Sequence, residues 1–283
     1  MSTADLFDPN QPVCECAPHS TEKPGAVCSS DTLVKKIANT LNIDTKISAA
    51  DIIEEAKEEL NCTSESCVLK EIKNTAESSD PNLPQLAAQE LETRFKVSGP
   101  ANTTQVLSNI HIDKTMEQWA KRWKFFQPIP FQYIDFAKYD TVLQNLDCQR
   151  LFAKGITCAG CVLNTDSTGG RGKHWVCIFI DMRDTVWTIE YFNSSGNHPP
   201  MEVVIWAFKI KNSVPSRQIE FIKVSTIMHQ LSKTECGMFV LYYIYNRIKG
   251  KPYTIFRDNR IEDEKVTKFR KHIFIIGGTD GSP

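Results

Sequence analysis

At 283 residues the chain exceeds most single domains, and 41% apolar with 24% charged residues are proportions of a globular protein, not of a disordered or fibrous one. A net charge of -1 argues against nucleic acid as the main partner, because phosphate binding needs a surplus of Lys and Arg, and leaves room only for a local basic patch. No stretch reaches the ~18 to 20 apolar residues of a membrane span, and Met1–Pro12 lacks the basic start and apolar run of a secretion signal; the ten cysteines are therefore expected to be mostly free thiols of a soluble protein in a reducing compartment.

The first part of the chain, 1–102, reads as a small helical domain interrupted by polar, Pro-containing segments. A helix over 31–42 sets Leu33, Ile37 and Leu41 at four-residue spacing behind a Ser30 or Asp31 cap. A second follows Ser48 with Ile52, Ile53, Ala56 and Leu60 on one face, and a third runs from Pro84 to Phe95, where proline suits the first turn. Val97–Thr104 reads as a linker into a larger domain, 103–283. There Met116–Phe126 predicts a helix with Trp119, Trp123 and Phe126 on one core-facing stripe. Trp175–Asp181, a continuous apolar run, and Thr185–Phe192, an alternating one, predict adjacent central strands joined by a tight turn near Arg183-Asp184. Asn193–Asn197 is a turn, Pro200–Asn212 a helix, Gln218–Val224 a further strand and Cys236–Ile248 a long apolar helix ended by Gly250.

Three of these elements end on reactive or orienting side chains. His174 opens one central strand and Asn193 closes its neighbour, about equally far from the joining turn, so the two can face each other. Cys236 stands at the N-terminus of the long helix, where partial positive charge and a neighbouring imidazolium both favour thiolate. This is the set of a nucleophilic thiol, its base, and an amide that fixes the base's tautomer without adding charge. Gln230, six residues before the thiol, is placed to join the Cys236 backbone N–H in stabilising an oxyanion, and Gly237 to leave room for a substrate carbonyl. Taken singly, Cys236 reads as a small core residue, His174 as a structural histidine and Asn193 as a turn former; the combination points to a cysteine protease.

Gly172-Lys173-His174-Trp175, Glu190–Asn197 and Thr234-Glu235-Cys236-Gly237, with Cys161–Asp166, Ile112-Asp113, Trp119 and Glu90–Lys96 upstream, resemble the polyprotein-processing cysteine proteases of the African swine fever virus type, which belong with the SUMO-specific and adenovirus-type proteases. The resemblance covers most of the chain from about residue 90. It implies an α+β, papain-like core with a central mixed β-sheet flanked by helices, and a helical arm at the N-terminus. It also implies cleavage after Gly-Gly-Xaa sites in viral structural polyproteins during virion maturation, in the host cytoplasm at virus factories and in the virion. No cofactor is expected. Gln230 takes the oxyanion role, and Trp175 and Asn164 line the substrate channel, the indole roofing a glycine pair. The family carries a second Gln three residues before its Cys, where this chain has Lys233.

Other signals are weighed against metal and phosphate sites. Cys158-Ala159-Gly160-Cys161 lacks the second ligand pair that tetrahedral zinc needs and reads as structural; Cys14, Cys16, His19 and Cys28 form a better metal candidate with irregular spacing. Gly169-Gly170-Arg171-Gly172 lacks the Gly-Lys-Ser/Thr of a P-loop and reads as a flexible loop beside the site, and Gly277-Gly278-Thr279 offers a site for self-trimming. Rival activities are deconjugation of ubiquitin-like modifiers, acyl transfer through a thioester, and a non-catalytic interaction module.

Overall fold

A computed structural model of the chain describes residues 3, 6–10, 13–18, 27–74, 80–100, 102 and 104–276. The self-trimming motif at 277–279 and His19 of the metal candidate lie outside the described residues. In chain order the elements are helices α1 (Asp31–Leu41), α2 (Ala49–Glu59), α3 (Glu65–Asn74) and α4 (Leu83–Arg94), then strand β1 (Val97–Ser98). Next come α5 (Asn109–Arg122), β2 (Phe126–Tyr133), α6 (Cys148–Ala153), β3 (Cys158–Asn164), β4 (Trp175–Asp181) and β5 (Val186–Phe192). The chain continues through α7 (Met201–Ser213), β6 (Gln218–Val224), α8 (Cys236–Ile248), α9 (Thr254–Asp258), α10 (Asp263–Ile273) and β7 (Phe274–Ile275). No described helix is long and apolar enough to cross a membrane.

The chain divides into two compact units, Met1–Pro9 with Pro100–Arg270, and Asn10–Gly99 with Lys271–Pro283, where the sequence had suggested a single cut at residue 102. Phe7 shows why the first residues join the larger unit. Its N–H donates to Asn246 Oδ1 at 2.8 Å, its carbonyl accepts from the Tyr242 hydroxyl at 2.8 Å, and its ring meets Tyr245 and Phe269 edge-on.

The smaller unit is helical. Ser30 caps α1 by accepting the Leu33 N–H, Ser48 caps α2, and Leu33, Val34, Ile37, Ile52, Ile53 and Ala56 turn inward. Helix α3 lies where no helix was expected, because its cap is not local: the Glu15 carboxylate accepts the N–H groups of Glu65 and Ser66 at 3.1 and 3.0 Å, from about 50 residues away. The expected linker is partly a strand, β1 pairing in parallel with β7, and a side chain at Gly99 would collide with Phe274. Six of the ten cysteines are free, but Cys16–Cys28 and Cys62–Cys67 form disulfides, which removes two thiols from the metal candidate.

The larger unit is α+β, a mixed five-stranded sheet in the order β2-β3-β4-β5-β6. β2/β3 and β5/β6 are parallel, while β3/β4 and β4/β5 are antiparallel. The helix over Met116–Phe126 instead runs from Asn109 to Arg122, and Phe126 opens β2. Pro128 and Pro130 lie within β2, and the strand tolerates them because it lies on the sheet edge. Cys158 and Cys161 are three apart in the fully buried β3, so they point to opposite faces and cannot share a ligand.

One sheet face packs on α7 through Val203, Trp206, Ala207 and Ile210. The other receives α8, every residue of which is buried. Apolar contact seats α8, with Phe192 and Tyr243 stacked at 4.4 Å, and a buried ion network fixes its register. Arg247 reaches Glu190 Oε1 and Asp181 Oδ2, both at 2.7 Å, and the Tyr243 hydroxyl donates to Glu190 Oε2 at 2.6 Å. Replacing Arg247 by Met leaves the fully buried Glu190 uncompensated, and urea unfolding is expected to show a loss of about 3 to 5 kcal/mol; a loss below about 1 kcal/mol would mean that the network does not hold the helix.

Candidate active site

β4 and β5 bring His174 and Asn193 together: their register, with Cys177 opposite Phe192, extends to His174 opposite Ser195, Asn193 lies two residues along on the same face, and the His174 Nε2 is 2.8 Å from Asn193 Oδ1. The orientation of the amide follows from its other partners. Asn193 Oδ1 also accepts the Ser195 N–H at 3.0 Å and the Ser195 hydroxyl at 2.8 Å, while Nδ2 donates to the Asn197 carbonyl at 3.3 Å and the Tyr191 hydroxyl at 3.2 Å. A flipped amide would set its NH2 against the Ser195 N–H and its oxygen against a carbonyl. The oxygen therefore faces His174, Nε2 must carry the proton, and Nδ1 is left as the basic nitrogen. Asn193 is buried, which shields this hydrogen bond from water.

Cys236 is the first residue of α8 and lines, with His174, Trp175 and Asn164, a cleft of about 400 Å³. Burial pushes its thiol up from the ordinary value; the backbone N–H groups of Trp175, Gly237 and Cys236 act the other way, and the Glu235 charge adds to the rise. The N–H groups at the helix start favour thiolate as expected, and burial outweighs them. Glu235 is itself buried and held by Arg270, Oε2 to Nη2 at 3.0 Å, and Arg270 also donates to the Gln105 carbonyl at 2.8 Å on the cleft wall. Sequence reasoning missed this pair, whose members are 35 residues apart. His229, on the segment between β6 and α8, is not a second base. It is fully buried, accepts the Ile261 N–H on Nδ1 at 3.0 Å, and burial pulls it down to about 4, so it stays neutral.

Trp175 is buried to 8% exposure, its Nε1–H donating to the Leu107 carbonyl at 3.0 Å, and Phe131 meets it edge-on at 5.7 Å. Leu107 also fills the space beside Gly237, where a Cβ would lie 3.0 Å from it. Gly237 therefore admits Leu107 rather than leaving room for a carbonyl. Asn164 Oδ1 accepts the N–H groups of Asp166 and Lys173 at 2.9 and 3.0 Å, tying both ends of the loop before His174. Asp166 accepts the Gly172 N–H at 3.2 Å and pairs with Lys173 at 3.0 Å, and Asp135 holds Thr168. The loop read as flexible is thus fastened from within.

Gln230 does not line the cleft. Its Oε1 accepts from the Ser194 hydroxyl at 2.8 Å and its Nε2 donates to the Ser232 carbonyl at 2.7 Å. Lys233, exposed, is at the cleft instead. Among the described residues no cluster of three or more metal-ligating side chains occurs.

The Ulp1 protease family, C-terminal catalytic domain, matches residues 160–275. A SUMO-1 cysteine protease of African swine fever virus is 37% identical over 279 residues, covering 93% of this chain and 95% of the viral one. An enzyme of a second isolate, named a cysteine protease, matches to the same extent. The crystal structure of the African swine fever virus protease superposes with a TM-score of 0.72 at 34% identity, over 98% of this chain and 100% of that one.

The deduced tautomer is directly measurable. Two-bond ¹H–¹⁵N correlation of the His174 ring at neutral pH is expected to show protonated Nε2 with a slowly exchanging proton, lost in Asn193→Ala. A ring protonated on Nδ1 would overturn the assignment.

Proposed function

The chain belongs to the Ulp1-type cysteine proteases, in the branch of the African swine fever virus enzyme, and from that premise we propose that it cuts after Gly-Gly-Xaa sites in viral structural polyproteins during virion maturation. Cys236 is the nucleophile, His174 the base and Asn193 the group that holds the base. His174 Nδ1 takes the proton from Cys236 Sγ, and the sulfur attacks the scissile carbonyl, whose π electrons move to oxygen. The imidazolium then gives its proton to the leaving amine as the C–N bond breaks, leaving a thioester. Water, deprotonated by Nδ1, releases the acid and restores the thiol.

The hydrogen bond from His174 to Asn193 supports this reading most, because it leaves Nδ1 as base in the cleft that Cys236 lines. Because burial disfavours the isolated thiolate, the reactive form is best described as a thiolate–imidazolium pair made by that transfer. The N–H groups beside the sulfur are the first candidates for the oxyanion hole. Gln230, whose amide Ser194 and Ser232 hold away from the cleft lining, is not assigned to it. Glycine selectivity rests on the walls: Trp175 clamped by Leu107, with Phe131 and Tyr133 beside it, makes an aromatic slot that a side chain would block. Asn164 serves this channel by fixing the loop that ends at His174. The helical unit is assigned to holding substrate or scaffold, and the enzyme to virus factories and the virion.

A Gly-Gly-Ala peptide from a capsid polyprotein and a SUMO–Gly-Gly fusion separate the proposed activity from modifier deconjugation, which the similarity to a SUMO-1 cysteine protease suggests. Cleavage of the polyprotein peptide is expected to dominate and to fall by at least about four orders of magnitude in Cys236→Ala; preferred cleavage of the fusion would replace the proposal. Alkylation by iodoacetamide reports the base. In His174→Ala nothing takes the proton of a thiol whose pKa burial has raised, so labelling of Cys236 near pH 7 is expected to drop about ten-fold or more and to return only at alkaline pH. Undiminished labelling at neutral pH would remove His174 from the mechanism.

A further inference from the structure

The charges around the cleft are of one sign. Among its lining residues are Arg171, Lys173 and Lys233, and none is Asp or Glu. The carboxylates that come near are already engaged. Asp166 is paired with Lys173 at 3.0 Å and accepts two backbone N–H groups, from Ser167 and Gly172. Glu235, next to the nucleophile, is buried and bound to the fully buried Arg270. With Lys173 and Asp166 cancelling, Arg171 and Lys233 remain as exposed cations without an acidic partner among the described residues.

The two come from different segments that lead to the reacting residues. Arg171 lies three residues before His174 on the loop that Asn164 and Asp166 hold, and Lys233 lies three before Cys236. That second segment is also fixed: the Asp263 carboxylate accepts the N–H groups of Leu231 and Ser232 at 2.9 and 3.1 Å. Both cations therefore project from anchored backbone beside the cleft. A chain with overall charge -1 has placed a local surplus of positive charge where its substrate must lie.

We propose that Arg171 and Lys233 are specificity-determining residues that select acidic polypeptide segments, with Asp or Glu flanking the scissile Gly-Gly. This deepens the proposed function and rests on it for the place of the glycines, but the electrostatic selection itself is a property of binding. Exposed ion pairs contribute factors of up to about five each, so two together give a preference of roughly ten-fold that salt screens. Aromatic walls would seat the glycine pair while the cations judge its neighbours.

The test uses the full chain carrying Cys236→Ala, so that turnover plays no part. Fluorescent peptides of one length hold Gly-Gly at the centre and place Glu, Gln or Lys within three residues on either side; affinities are read by anisotropy at low and at 0.5 M salt. Expected is binding of the best Glu peptide about ten-fold tighter than its Gln counterpart, with Lys weakest, shrinking to about two-fold at high salt. Arg171→Gln with Lys233→Gln is expected to bring the Glu-to-Gln ratio near one, and Arg171→Glu with Lys233→Glu to reverse the order in favour of Lys. Equal affinities for Glu, Gln and Lys peptides, or a ratio that both double variants leave unchanged, would overturn the inference. Acidic preference in binding without cleavage of any Gly-Gly peptide by the native chain would leave this selection standing and remove the function proposed above.

Discussion

The seat of α8 on the sheet is the constraint on which the rest of the site depends. Cys236 stands at one end of that helix and Arg247 near the other, while His174 and Asn193 flank the strands beneath. A thiol and an imidazole must meet within a few tenths of an ångström to exchange a proton, and apolar packing alone permits a helix to slide or turn on its bed. Arg247 removes that freedom. Its guanidinium bridges β4 at Asp181 and β5 at Glu190, the two strands that carry the base and its partner. The desolvation of three charges is a cost that an apolar core would not incur, and here it secures register.

At the other end of α8, electrostatics separates a structural cysteine from a reactive one. All five other free cysteines lie elsewhere, and burial raises Cys148, Cys158, Cys161 and Cys177 as it does Cys236. The difference is what surrounds the sulfur. Only Cys236 combines a helix N-terminus, neighbouring backbone N–H groups and a place in the cleft that His174 lines. Glu235 would oppose a thiolate one residue away, and Arg270 takes up that charge. The imidazole in turn owes its tautomer to Asn193, and Asn193 owes its orientation to Ser195 and Asn197. Chemistry at one sulfur thus draws on residues from four separate stretches of chain.

Much of this was legible before folding because the signals were local. The alternation of Thr185–Phe192, the apolar run of Trp175–Asp181 and the glycine after Ile248 each mark their element within a few residues, and roughly equal distance from one turn was enough to bring His174 near Asn193, although the register sets Ser195 opposite His174. What escaped was long-range. Helix α3 is started by Glu15, β2 hides behind two prolines that only an edge strand accepts, and Phe7 joins a core that begins about a hundred residues later. Gly237 reads as room for substrate until Leu107 is seen to fill it. Gln230 likewise sits at the right spacing, yet Ser194 and Ser232 hold its amide away from the cleft lining, a matter of side-chain partners that spacing does not encode.

The most direct measurement is covalent trapping. A peptide ending in Gly-Gly with a vinyl methyl ester in place of the scissile bond reacts where a nucleophile meets the bound glycines. Peptide mapping by mass spectrometry is predicted to find one adduct, on Cys236, absent when the same sequence carries Ala-Ala in place of Gly-Gly. An adduct on any other thiol, or on Cys236 regardless of the glycines, would contradict the placement of nucleophile and glycine slot in one cleft.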